Sequence, residues 1–311
     1  MSVRQETKDK ITAAVKELDY KPNLVARGLR SNTMHNIAVL VSDISNPFST
    51  EVFKGAQKAA HEKGYTLTLF DTEDNTQREL EYIDMIARSL SDGVLLTSVY
   101  IDDAIIEEIE KSEMKYILVN RSLREQSGML VTVDDIKGIR LAVRHLYEKG
   151  HRRIAHITGP LYTSSGINRL GSFRETMREL GLECPPGYVV ESTFHSITGK
   201  RAMRNILALP NRPSGIVAGN DLIAIGALSA AYEAGLRVPE DISIVGFDDI
   251  WISEVTVPAL TTVSCDKKEL GYLAANLLIG SIENKLASED KVNFLDVRLI
   301  ERGSVSSINN Q

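Results

Sequence analysis

Two rhythms of apolar residues alternate along most of this chain. Short continuous runs predict strands buried on both faces: Ile37–Val41, Thr66–Phe70, Val94–Thr97 and Tyr116–Val119. Between them, apolar residues three and four apart predict helices. One opens with Asn46 as N-cap and Pro47 as first helical residue, faces inward through Phe53, Ala56 and Ala60, and is closed by Gly64. Thr76 with Glu79 reads as a capping box for another, faced by Leu80, Ile83 and Leu90. The same order restarts with a strand at Ile154–Thr158 and a helix over Asn168–Leu180 that Gly181 stops. Ile37 to Ile154 and Gly64 to Gly181 are both 117 residues apart, so two similar halves are expected. Further strands are predicted at Val189–Glu191, Gly215–Ala218 and Ile242–Phe247, with helices over Leu222–Ala234 and Lys267–Ile282. A last strand pair is expected near Phe294 and Arg298–Ile300. Alternation of this kind predicts an α/β fold with two doubly wound parallel sheets.

The first 35 residues follow a different pattern. Ile11, Val15 and Leu18 recur at helical spacing, with Ser2 and Gln5 as a capping box, and Pro22 stops the helix. Asn23 caps a very short stretch through Leu24, Ala26, Arg27 and Leu29, which is marginal as an isolated helix because nucleation is costly. A polar linker, residues 31–36, then leads into the first strand.

Composition narrows the function. The chain has 311 residues, enough for about two domains, and its 43% apolar content supports a sizeable core rather than a disordered chain. No apolar run approaches membrane-spanning length and the charged N-terminus has no signal-peptide core. With only Cys184 and Cys265, the sequence reads as a reduced, cytoplasmic chain. The net charge is −6, yet residues 1–30 hold seven cations against four anions. A small basic arm on an acidic body suits a phosphate-facing module joined to a body with another task.

Catalytic signatures are missing from the sequence. It contains no G-x-G-x-x-G after a strand, no phosphate-binding loop, no nucleophile elbow and no H-E-x-x-H. His151 beside Arg152 and Arg153 reads as a solvated turn. The pairs Asp134-Asp135 and Asp248-Asp249 read as helix caps or hydroxyl-binding groups, since no third metal ligand stands near them. The expectation is a non-enzyme with no catalytic residue, metal or cofactor. Binding chemistry is richer. Asn46, Phe48, Asn120, Arg169, Phe194, Asn220 with Asp221, and Asp248 all follow apolar strands, where open α/β sheets place their ligands. Amides and carboxylates bridge vicinal hydroxyls, Arg offers a donor fork, and Phe stacks on the apolar face of a ring. That set suits a polyhydroxylated ligand such as a sugar.

These runs also resemble a known family. NIAVLVSDISNPFSTEVFKGAQKAAHEKG (36–64), GHRRIAHITGP (150–160), RLGSF (169–173), GNDLIAIGA (219–227), GLRVPEDISIVGFDD (235–249), PALTTV (258–263) and LIER (299–302) are similar to the regulatory domain of lactose/galactose-repressor transcription factors. NLVARGLR (23–30) resembles that family's hinge helix, and residues 2–20 the third helix of its DNA-binding headpiece. The resemblance implies a ligand-responsive transcriptional regulator, a repressor, of periplasmic-binding-protein type. Residues 1–35 would be a partial headpiece and hinge. Residues 36–133 with 266–292 would form a first subdomain, 134–265 with 293–303 a second, and 304–311 a tail. It implies a homodimer with a small effector in the cleft and operator DNA as partner. By position, Phe48, Asn120, Arg169, Phe194, Asn220 and Asp248 would contact the effector, with Asn46 beside them. Asn23, Arg27, Leu29 and Arg30 would face DNA, Leu29 as a wedge in the minor groove. The family's first helix and major-groove recognition helix have no counterpart after Met1, so direct base readout is not expected of this chain alone. A stand-alone sugar-binding protein for transport or sensing is the alternative. The lack of a signal peptide and the presence of NLVARGLR count against it.

Overall fold

The computed structural model describes residues 4–18, 33–88, 91–101, 105–125, 128–285 and 292–308. The four expected DNA-facing positions, Asn23, Arg27, Leu29 and Arg30, lie outside the described residues, as do Ser2 and Leu90. Helix α1 spans Gln5–Glu17, with Arg4 as N-cap and no side-chain capping bond. Its apolar stripe, Ile11, Val15 and Leu18, is exposed.

The first sheet is assembled from β1 (Asn36–Val41), β2 (Thr66–Asp71), β3 (Gly93–Leu96), β4 (Lys115–Val119) and β5 (Met129–Val133). Helices α2 (Pro47–Glu62), α3 (Thr76–Arg88) and α4 (Ile105–Lys111) connect the first four strands. The second half repeats the scheme with α5 (Asp135–Glu148), β6 (Ile154–Thr158), α6 (Ser164–Glu179), β7 (Val189–Glu191), α7 (Ser196–Leu207), β8 (Gly215–Ala218), α8 (Asp221–Glu233) and β9 (Ser243–Asp248). It continues through α9 (Ile252–Val255), β10 (Thr261–Cys265), α10 (Lys267–Ile282), β11 (Val292–Leu295) and β12 (Val297–Ile300). The two six-stranded sheets have the orders β11-β5-β4-β3-β1-β2 and β12-β10-β9-β8-β6-β7, the same winding used twice. Every pairing is parallel except β10 with β12. Central strands such as β1, β3, β5, β6, β8 and β9 are buried along nearly their whole length, which is why their sequences are mostly apolar on both faces. Edge strands β2, β7 and β11 are partly exposed. No helix among the described residues is long and apolar enough to cross a membrane.

Gly64 and Gly181 both sit at positive φ, +75° and +66°, where an added Cβ is strained, and each turns its chain off a helix into the next segment. The chain crosses between halves after β5, after β10 and between β11 and β12. The return after β10 is tight: a Cβ on Gly55 of α2 would fall 1.9 Å from the Lys268 carbonyl oxygen of α10. The third crossing differs from the expected boundary at 292/293. Residues 292–295 pair with β5 in the first sheet, so the crossing falls at Asp296. Phe294 and Arg298–Ile300 are therefore not a strand pair; they close the edges of two different sheets. The run from 304 is also no loose tail. Ser304 is fully buried, its Oγ accepting from Thr261 N–H at 2.8 Å and donating to Ile244 O at 2.6 Å, and Ile308 N–H donates to Lys149 O at 2.8 Å. His151 is buried against this strap, bonded to Ser214 Oγ at 3.0 Å and Ser306 O at 3.1 Å, rather than lying in a solvated turn.

Three local expectations shift. Asn75, not Thr76, caps α3 by accepting from Arg78 N–H at 3.0 Å, and Glu79 turns into the core against the Ser98 hydroxyl. Helix α6 begins at Ser164, four residues before the expected start, because Thr163 Oγ1 accepts from Gly166 N–H. Strands β5 and β10 and helices α4, α5 and α7 were not singled out by periodicity.

Candidate effector cleft

Where the C-terminal strand ends of the two sheets face each other, a cleft opens between the halves. All seven sequence-predicted binding residues, Asn46, Phe48, Asn120, Arg169, Phe194, Asn220 and Asp248, line it. Asn46 and Phe48 begin α2 just after β1, and Asn120 follows β4. On the other wall, Phe194 follows β7, Asn220 follows β8, and Asp248 ends β9. Arg169 comes from the second turn of α6 rather than from a loop.

The second-half wall is held by buried charge. Arg169 is 2% exposed; its Nε donates to Asp135 Oδ1 at 2.7 Å and its Nη1 to Gly219 O at 2.5 Å. Its guanidinium lies 3.8 Å from the Phe247 ring centre, and Nη2 stands 3.6 Å from Asp248 Oδ1. Most of the donor fork that the sequence offered to a ligand is thus committed inside the protein. Burial opposes the Arg169 charge, but Asp135 and Asp248 outweigh it and leave the group more basic than usual. Burial pushes the Asp248 carboxyl up to about 7, with Arg169 pulling it back. Asp248 also holds φ at 105°, a strained conformation for a non-glycine residue, while Lys267 Nζ bonds its carbonyl oxygen at 2.5 Å. Asp221, weighed with Asn220, proves structural: it accepts from Ile250 N–H, Ser253 Oγ and Thr262 Oγ1 and is fully buried. Asn220 caps α8 through Ile223 N–H at 2.9 Å. Phe194 fits because residue 159 is glycine, where a Cβ would fall 2.2 Å from the ring.

The first-half wall is lighter. Asn46 Oδ1 accepts from Phe48 N–H at 3.0 Å, the cap expected from sequence. Asn120 adopts φ 66°, and its Oδ1 is buried with no hydrogen-bond partner. A buried acceptor left unsatisfied costs about 1–3 kcal/mol, which a ligand donor would recover. Sequence reasoning missed Arg121 on this wall. It is 6% exposed and donates to Ser98 O at 3.1 Å and Ser42 Oγ at 3.3 Å, with no carboxylate in ion-pair reach among the described residues. Its place directly after Asn120, past the end of β4, was the available signal. Ser42, Thr97 and Ser165 add further hydroxyls. Among the described residues no group of three or more His, Cys, Asp or Glu is placed to hold a metal.

Comparison with known proteins agrees with this architecture. Residues 143–305 match the family model of the periplasmic binding protein-like domain. The ribose operon repressor of Escherichia coli K12 is 35% identical over 296 residues, covering 95% of this chain and 89% of that protein. The HTH-type transcriptional repressor PurR of Escherichia coli O139:H28 is 34% identical over 306 residues, covering 98% and 89%. A solved complex of the transcriptional regulator CelR with cellobiose superposes with a TM-score of 0.82 at 29% identity, covering 97% of this chain and 92% of that one.

Proposed function

Because the chain belongs to the lactose/galactose-repressor family of transcriptional regulators, we propose that the cleft is its effector site and that the effector is a small polyhydroxylated molecule, a sugar. The observation that carries this reading is the buried, unpartnered Oδ1 of Asn120, a residue that lines the cleft opposite Asp248. A vicinal diol donates to such acceptors, while Phe48 and Phe194 cover the apolar face of a sugar ring. The names of two relatives, a ribose operon repressor and a regulator bound to cellobiose, support the same ligand class. The stand-alone sugar-binding protein is not favoured, since the curated relatives are repressors.

The remaining assignments follow the same reading. The protein acts in the cytoplasm as a homodimer, and Asn23, Arg27, Leu29 and Arg30 face operator DNA. Exposed Trp251, Val255 and Val257 offer apolar surface for self-association. The test is a thermal-shift panel of D-ribose, cellobiose, other sugars and sugar phosphates on the purified chain. A binder at a hundredfold excess over its Kd adds about 2.7 kcal/mol of stability, and Asp248→Asn removes that gain. A panel without any shift, or a variant that responds like the wild type, overturns the assignment.

A further inference from the structure

The two walls also meet at a titratable contact just outside the cleft lining. His195 follows Phe194 at the N-terminus of α7, and its ring makes no capping bond to its own helix. Instead Nδ1 lies 3.6 Å from Asp43 Oδ2, and Nε2 lies 3.4 Å from Asp74 Oδ2. Asp43 follows β1 and Asp74 follows β2, so two loops of the first sheet clasp opposite nitrogens of one ring from the second. Acceptors stand at both nitrogens, and only the imidazolium form donates from both. The loops are themselves braced: Asp43 Oδ1 accepts from Ser45 N–H at 2.7 Å, and Asp74 N–H donates to Ser42 O at 2.9 Å.

We propose that His195 is the positioning residue that holds the cleft shut, clasping Asp43 and Asp74 when protonated and releasing them when neutral. Closure, and with it effector retention, then weakens as pH rises. Asp74, facing Nε2, raises the His195 pKa above its usual value despite desolvation, and Asp43 adds to the shift. One other charged group reaches across nearby, the Arg121 guanidinium 6.0 Å from the Phe194 ring centre, and it stays cationic throughout the imidazole range; the remaining contacts are neutral. The Tyr100 and Tyr162 rings meet edge to face at 5.0 Å, Ile101 N–H donates to Tyr162 O at 2.9 Å, and Ser122 N–H donates to Ser164 Oγ at 2.8 Å. Burial keeps both tyrosines above their ordinary pKa and so uncharged near neutrality. The nearby Asp71 is taken up by the Ile44 and Glu73 N–H groups. No lysine or arginine forms an ion pair with Asp43 or Asp74 among the described residues, which leaves His195 as the cation between them.

The consequence for the effector rests on the cleft reading above, but closure is measurable without any effector. Small-angle X-ray scattering of the ligand-free chain at about pH 5.5 and pH 8.5 brackets the imidazole titration. The wild type is expected to be more compact at the lower pH. His195→Gln is expected to be expanded at both, as is the Asp43→Asn/Asp74→Asn pair, and the permanently charged His195→Arg compact at both. Wild-type dimensions that do not change with pH, or a His195→Gln protein that keeps the full difference, overturn the proposal. Calorimetry with D-ribose adds a second reading. The ratio of wild-type to His195→Gln affinity should be roughly fivefold at the lower pH and near one at the higher. Equal ratios at both pH values count against the latch. If D-ribose fails to bind, that outcome bears on the ligand assignment and scattering alone decides the latch.

Discussion

The two walls of the cleft are built from the same winding, yet they hold their polar groups differently. In the second half, Arg169, Asp135, Asp221 and Asp248 form a buried cluster in which each charge meets an opposite charge or several hydrogen-bond donors. In the first half, the buried guanidinium of Arg121 is bonded only to neutral oxygens, and Asn120 keeps an acceptor unsatisfied. One wall is organised before any ligand arrives; the other holds polar capacity that a ligand can complete. A similar fold therefore does not imply a similar division of labour, because the side chains placed after equivalent strands decide which wall is rigid and which is receptive.

The largest expected effect tests that contrast directly. Arg169→Ala leaves Asp135 as a buried, uncompensated carboxylate and should cost about 3–5 kcal/mol in urea denaturation. Arg121→Ala loses bonds to neutral partners and should cost about 1–3 kcal/mol. Equal losses for the two variants break the comparison. The pH dependence comes next. Asp248 has an ordinary value of 3.8 but titrates at about 7 in the folded chain, and buried Asp221 is pushed up to about 6. Between about pH 4 and pH 7 the folded chain therefore binds more protons than the unfolded one, and stability falls as pH rises through that window. Asp248→Asn should flatten the upper part of the fall in melting curves; an unchanged slope places the titration elsewhere. A sugar hydroxyl donating to Asp248 favours the ionised form, so affinity in a His195→Gln background should rise with pH through about 7. The smallest effect separates capping from binding. Asn46→Ala removes the α2 cap and should cost about 1 kcal/mol. Asn46→Ser keeps a capping oxygen and should restore that stability while leaving effector affinity reduced. Full recovery of affinity with serine limits Asn46 to its cap.

Several helices and strands are legible in the sequence itself. Ile154–Thr158, Val189–Glu191, Gly215–Ala218 and Lys267–Ile282 end where the sequence placed them, because an apolar run or a capped, periodic stretch fixes its own limits. Strand β5 was missed although Gly128 and Asp134 bracket it, since its run Met129–Val133 is short and a threonine interrupts it. The early start of α6 was missed for a related reason: its first turn is Ser164, Ser165 and Gly166, with no apolar period to read. The residues that line the cleft were legible as a set because all but Arg169, which comes from α6, lie at or just after a strand end, a position that α/β topology converts into a shared edge.

Local chemistry along the chain was enough to specify the doubled α/β plan, the Asn46 cap of α2 and the glycine stops at Gly64 and Gly181, for those depend on neighbouring residues. Only the tertiary structure decided that Arg169 is committed to Asp135, that Asp221 is a buried brace, that residues 304–308 strap the second half, and that His195 reaches Asp43 and Asp74. Each of these joins residues far apart in sequence. A side chain's proton affinity and freedom depend on how deeply it is buried and what faces it there, which no local pattern contains.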